Sequence, residues 1–173
     1  MAFLVQDENG TVSGANAYAD LTYVREYHAD RGLDLSDPGT SDAALQVAIV
    51  KATDFLDKRW VFPGERLNRD QDTEHPRRDL YDRSGYLVTG IHRAVKQAVA
   101  ELAQRALTQS LLSDPTRDDS GRTVLSKREE VGPFKDAVEY AGGGGYTFPE
   151  YPAVDRLLIS AGLVRTGLTG VRA

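Results

Sequence analysis

The sequence predicts a mainly α protein: a compact four-helix bundle with a long inter-helix loop, a small β-ribbon and an extended C-terminal arm. Three observations carry that expectation. Apolar residues recur at steps of three and four in four separate stretches. A long polar connection over residues 61–90 is punctuated by Pro63-Gly64, His75-Pro76 and Asp82-Arg83-Ser84-Gly85. Glycine interrupts the chain at residues 142–145 and again at 162, 167 and 170, where pliable backbone is expected. Residues 1–162 should therefore form the helical domain, and residues 163–173 the arm.

The first helix is expected over residues 20–31, with Asp20 as its cap, Leu21, Val24, Tyr27 and His28 facing inward, and Gly32 as its stop. The second covers residues 41–59, where Leu45, Ala48, Ile49, Ala52, Phe55 and Leu56 line one face. Ser41 is a good N-cap, and Asp42 places a negative charge at the positive end of the helix dipole. The third is expected over residues 91–112, and its many alanines permit a close helix neighbour. The fourth starts at Pro152, whose ring is pre-shaped for a first helical turn, and runs to Gly162. None is long enough to be stable alone, so all four must pack. Val124, Leu125, Val131, Phe134, Val138 and Tyr140 suggest a two-stranded ribbon within residues 123–140.

Composition narrows the function classes. With 40% hydrophobic and 27% charged residues the chain can build a core. Its 21 basic against 26 acidic residues lack the overall positive field of a generic nucleic-acid binder, so any DNA contact must be local. The absence of cysteine removes disulfides, zinc–thiolate sites and thiol catalysis. The N-terminal stretch has no basic lead-in and does not read as a secretory signal, and no run reaches the ~20 apolar residues of a membrane span. A soluble protein is expected.

Local motifs give no chemistry. The glycine run at residues 142–145 lacks the Lys-Ser/Thr of a phosphate loop and reads as a hinge. Asp70, Asp72 and Glu74 imitate the start of a calcium loop, but His75 and Tyr81 stand where glycine and glutamate are required. His28, His75 and His92 have no paired spacing for a metal and read as surface or boundary residues. No Gly-x-Ser-x-Gly elbow is present. Neither catalysis nor a cofactor is expected.

The connection holds Arg66, Arg69, Arg77, Arg78 and Arg83 with Trp60, Phe62, Tyr81 and Tyr86, residue types that pair with phosphates and stack on bases. Six acids offset five arginines there, so these side chains fit a protein-contact surface at least as well.

In order along the chain stand Asn16-Ala17-Tyr18-Ala19-Asp20, Ala52-Thr53-Asp54-Phe55-Leu56-Asp57, Arg59-Trp60, Pro63-Gly64-Glu65-Arg66, Gln71, Pro76-Arg77, Asp82 and Gly85. Val95-Lys96-Gln97-Ala98-Val99-Ala100-Glu101-Leu102-Ala103, Val131-Gly132 and Tyr151-Pro152-Ala153-Val154-Asp155-Arg156-Leu157-Leu158 follow. This succession resembles the phage "DnaT-like" protein family, whose members resemble the head–tail connector, or adaptor, proteins of long-tailed bacteriophages. One departure is His75, where the family usually has tryptophan before the Pro-Arg pair.

The resemblance implies a structural virion protein of the neck, made in the host bacterial cytoplasm. It would form a ring, typically of twelve copies, between the portal protein and a stopper, head-closure or tail-terminator protein, with genomic DNA passing through unread. Leu163, Val164, Arg165, Leu168, Val171 and Arg172 would belong to the portal-binding arm. Trp60, Phe62, Arg66, Arg77, Arg78, Tyr81 and Tyr86 would be candidates for neighbouring or downstream-ring contacts. The alternative, from the family label, is a DnaT-like single-stranded-DNA-binding accessory protein. Salt-dependent oligonucleotide binding would favour the alternative.

Overall fold

The computed structural model describes residues 2–36, 39–112 and 149–164, together with the backbone of two strands at 124–130 and 135–140. The chain divides into two compact units, one formed by Met1–Leu111 with Glu150–Ala173 and the other by Leu112–Pro149. The described residues are mainly helical, with four helices and small two-stranded antiparallel sheets.

The first unit contains the four described helices. Helix α1, Leu21–Ala29, begins where the Asp20 carboxylate accepts the Tyr23 amide at 2.7 Å, and it buries Val24, Tyr27 and His28. Helix α2, Asp42–Arg59, is capped by Ser41 and buries Leu45, Ala48, Ile49, Ala52, Phe55 and Leu56, the face expected from periodicity. Each of the larger side chains contributes about 1.5–3 kcal/mol on leaving water. Helix α3, Arg93–Ala106, packs against α1, α2 and α4, which is the fourth helix, Pro152–Ser160. Ala94, Ala98 and Ala103 of α3 are buried, which lets its neighbours approach closely.

Helix α3 is shorter than periodicity predicts, for a local reason at each end. Ile91 is buried but precedes the cap: Gly90 has φ +73°, and His92 Nδ1 accepts the Ala94 amide at 3.1 Å. At the other end Thr108 and Gln109 both return their amides to Arg105 O, which ends the regular ladder. Burial therefore continues beyond the helix.

Residues 2–19 form no helix, yet they are pinned along their length. Gln6 donates its amide to Ala17 O at 2.8 Å, and the Glu8 carboxylate accepts the Ile91 amide at 2.6 Å while pairing with Lys96 at 2.7 Å. The 61–90 connection is likewise ordered. Strand β1, Glu65–Arg66, pairs antiparallel with β2, Arg77–Arg78, placing Glu65 opposite Arg78 and Arg66 opposite Arg77. No helix among the described residues is long and apolar enough to cross a membrane.

The second unit holds strand β3, Val124–Glu130, and strand β4, Lys135–Tyr140. They pair antiparallel from Val124–Tyr140 to Glu130–Lys135, with a register shift between Val124 and Ser126. The expected ribbon is thus present. The hinge expected at residues 142–145 lies outside the described residues.

Candidate nucleic-acid interface

The 61–90 connection separates into a buried corner and a projecting hairpin. The corner is built around Arg77, only 9% exposed. Its guanidinium donates to Pro63 O at 2.8 Å, Gly64 O at 2.7 Å and Glu74 O at 3.1 Å, and pairs with the Glu74 carboxylate at 2.6 Å. Three carbonyls that no sheet satisfies are thereby satisfied by one side chain. Buried Gln71 does comparable work, donating to Thr73 O and Pro76 O and accepting the Asn68 amide. Thr73 donates to His75 O and accepts from Gln6, which joins the corner to the N-terminal segment.

His75 precedes a cis peptide bond to Pro76 and is fully buried. Its ring meets Phe62 at 4.4 Å and Tyr18 at 5.7 Å, both edge-on, and neither ring nitrogen has a hydrogen-bond partner among the described residues. Burial, then the nearby Arg77 charge, pushes its pKa down to about 3. The Tyr18 hydroxyl accepts the His75 amide at 3.0 Å and lies 2.7 and 2.8 Å from the two carboxyl oxygens of Asp57. Asp57 also accepts the Glu74 amide at 3.2 Å. Burial pushes the Asp57 carboxyl up to about 7, against the opposing effect of those hydrogen bonds.

The hairpin behaves differently. Tyr81 and Leu87 are bridged across a turn in which Asp82 Oδ1 accepts the Ser84 amide at 2.8 Å and the Tyr86 amide at 2.9 Å. Gly85 supplies the required positive φ of +83°. Tyr81 is 54% exposed, Tyr86 74% and Leu87 53%. The turn is fixed to the end of α4: Arg83 donates its amide to Ala161 O at 2.9 Å. Gly162, at φ +77°, lies so close that a β-carbon there would come 2.6 Å from the Arg83 nitrogen.

Beside the hairpin runs a groove of about 430 Å³ whose lining includes Arg83, Ser84, His92, Arg93, Gln97 and Ser160. Asp82 also borders it. Among the described residues neither Arg83 nor Arg93 has a carboxylate partner within salt-bridge distance. Burial, followed by the Arg93 charge, holds the His92 pKa below its ordinary value despite Asp82. Because its Nδ1 accepts the Ala94 amide, the neutral ring carries its proton on Nε2.

The residues singled out in the sequence therefore divide. Tyr81 and Tyr86 project, whereas Phe62 is 3% exposed and Arg77 is committed to the corner. Trp60 is half-buried at the end of α2 beneath the Arg59 guanidinium. Arg66 is exposed and donates to Gln71 O, and Arg78 is exposed and paired with Glu65. Leu163 and Val164 are buried beyond α4, where their apolar side chains complete the core; Arg165, Leu168, Val171 and Arg172 lie outside the described residues. His28 is buried, as its place on the inward face of the first helix predicts, and His75 is buried rather than at the surface. His28 finds Ala100 O at 2.9 Å, and aromatic rings enclose His75. Tyr18, Asp57, Gln71 and Thr73 were not singled out as a cluster, since their partners lie far away in sequence. The described residues contain no cluster of potential metal ligands.

No curated protein and no solved structure matches the chain. A family model described as "Putative DnaT-like ssDNA binding protein" matches residues 1–172. This corrects the expected function and partners: the match is to a DNA-binding description and not to a head–tail connector of the virion, so the portal, the stopper and the passive passage of genomic DNA have no support. The DnaT-like half of the resemblance stands, and by a match running from the first residue to the penultimate one the chain belongs to the DnaT-like ssDNA binding protein family.

Proposed function

We propose that the protein is a non-enzymatic single-stranded-DNA-binding accessory protein, with a helical bundle as the platform for the hairpin around Tyr81 and Tyr86. The observation that carries this reading is the exposure of both tyrosines on a turn anchored to α4, beside Arg83 and Arg93, which have no carboxylate partner among the described residues. Aromatic faces stack on any base, and each stacked base contributes about 1–3 kcal/mol without reading sequence. The arginines meet the backbone: Arg83 from the tip of the turn, Arg93 from the start of α3. The family description supports the choice of ligand.

The acidic balance of the chain shapes the mode of binding. With a net charge of −5 the protein cannot draw DNA in from a distance, so contact area must do what a long-range field does elsewhere. Two phosphate contacts on a single strand give a log–log salt slope of only about −1.4. The strand is held mainly by stacking and dissociates slowly with salt rather than abruptly.

The test is fluorescence anisotropy of a dye-labelled oligothymidine against the purified chain across a salt series. A shallow slope, with binding lost in the Tyr81→Ala/Tyr86→Ala double variant at unchanged helicity, is the expected result. Equal binding by that variant, or none by the native chain at tens of micromolar protein, would refute the reading.

A further inference from the structure

The buried corner holds a cluster that the proposed function does not use. The Tyr18 hydroxyl has three polar neighbours: Asp57 Oδ1 at 2.7 Å, Asp57 Oδ2 at 2.8 Å and the His75 amide nitrogen at 3.0 Å. The amide brings its own proton. The phenol has one proton for two carboxyl oxygens at nearly equal distance, so an ionised Asp57 must share that proton in a three-centre bond. A protonated carboxyl gives each contact its own proton: the acid donates to the phenol oxygen, and the phenol donates to the other carboxyl oxygen. The hydroxyl is then saturated, with one bond donated and two accepted. Glu74 N still donates to Oδ2.

The second member is His75. Its ring is fully buried, and neither nitrogen reaches an acceptor or donor among the described residues. A charged imidazolium there would have two unsatisfied donors in an aromatic enclosure, so the ring must be neutral. The groups facing the pair oppose charge in the same sense. Asp54 on α2 and Glu74 in the corner disfavour a carboxylate at Asp57, while Arg77 and His92 disfavour an imidazolium at His75.

We propose that closing this corner is a proton-neutral exchange: on folding, Asp57 takes up a proton and His75 gives one up, so a charged pair in the open chain becomes a neutral pair in the native protein. The exchange operates at mildly acidic pH, where a solvated aspartate is ionised and a solvated histidine is protonated. The two groups act with opposite sign. Asp57 alone makes folding more favourable as pH falls, because the native state binds the extra proton. His75 alone makes it less favourable, because the unfolded state binds the extra proton. Together they cancel, and the corner closes independently of pH from about 4 to 6.5.

The experiment is denaturant unfolding of the full chain between pH 4.5 and 6.5 for the native protein, Asp57→Asn, His75→Phe and the double variant. Relative to the native protein, the folding constant of Asp57→Asn is expected to fall about tenfold per pH unit of acidification, and that of His75→Phe to rise by the same factor. The double variant should return to the native profile. A carboxyl carbon chemical shift for Asp57 in the native chain at pH 5.5 provides a readout that needs no variant. A protonated value is expected; an ionised value there, or single variants that keep the native pH profile, would overturn the proposal.

Discussion

Arg77 and Arg83 stand six positions apart in one connection, and the chain uses them in opposite ways. Arg77 turns its guanidinium inward onto Pro63, Gly64 and Glu74 carbonyls, while Arg83 is held by its backbone amide and has no carboxylate partner for its side chain among the described residues. The aromatic residues divide in the same manner. Phe62 encloses His75, whereas Tyr86 is three-quarters exposed. Arginine and aromatic content therefore does not by itself mark a binding loop. What marks it is which side chains remain unspent once the backbone of the loop has been satisfied.

The largest expected effect comes from breaking the inward half. Arg77→Ala leaves three carbonyls and the Glu74 carboxylate without their donor and should cost about 3 kcal/mol or more, read as a lower denaturation midpoint at unchanged m-value. Next is the joint between the halves. Gly162→Val places a branched side chain at positive φ against the Arg83 backbone, and a loss of about 2 kcal/mol is expected from thermal unfolding. Tyr86→Ala belongs to the outward half. It should weaken oligonucleotide binding by about 1–3 kcal/mol while the melting temperature stays within a degree or two of the native value. Arg83→Ala sharpens the contrast further, flattening the salt slope by about 0.7 with no change in stability. The smallest effect is expected for Arg78→Ala, whose exposed pair with Glu65 contributes under about 1 kcal/mol. If Arg77→Ala lost DNA binding but kept its stability, the division between the two halves would fail.

How much of this was legible in sequence follows from the range of the interactions. Asp20, Ser41 and Pro152 start their helices as expected because a cap acts within a few residues of itself. The start of α3 was misread because Ile91 is buried yet non-helical, and apolar spacing reports burial rather than backbone conformation. The corner was illegible. His75 depends on Tyr18, and Glu74 on Asp57, across separations that no local pattern encodes. The hairpin was half legible: Asp82 to Gly85 announces a turn, but its attachment to Ala161 does not appear in either segment alone.

That attachment offers a way to watch the protein at work. The Arg83 amide sits at the tip of an exposed turn, where hydrogen exchange would ordinarily be fast, yet it is donated to the Ala161 carbonyl that caps α4. Its exchange rate therefore reports the docking of one segment on the other at a single backbone position, in the free protein and with oligonucleotide bound.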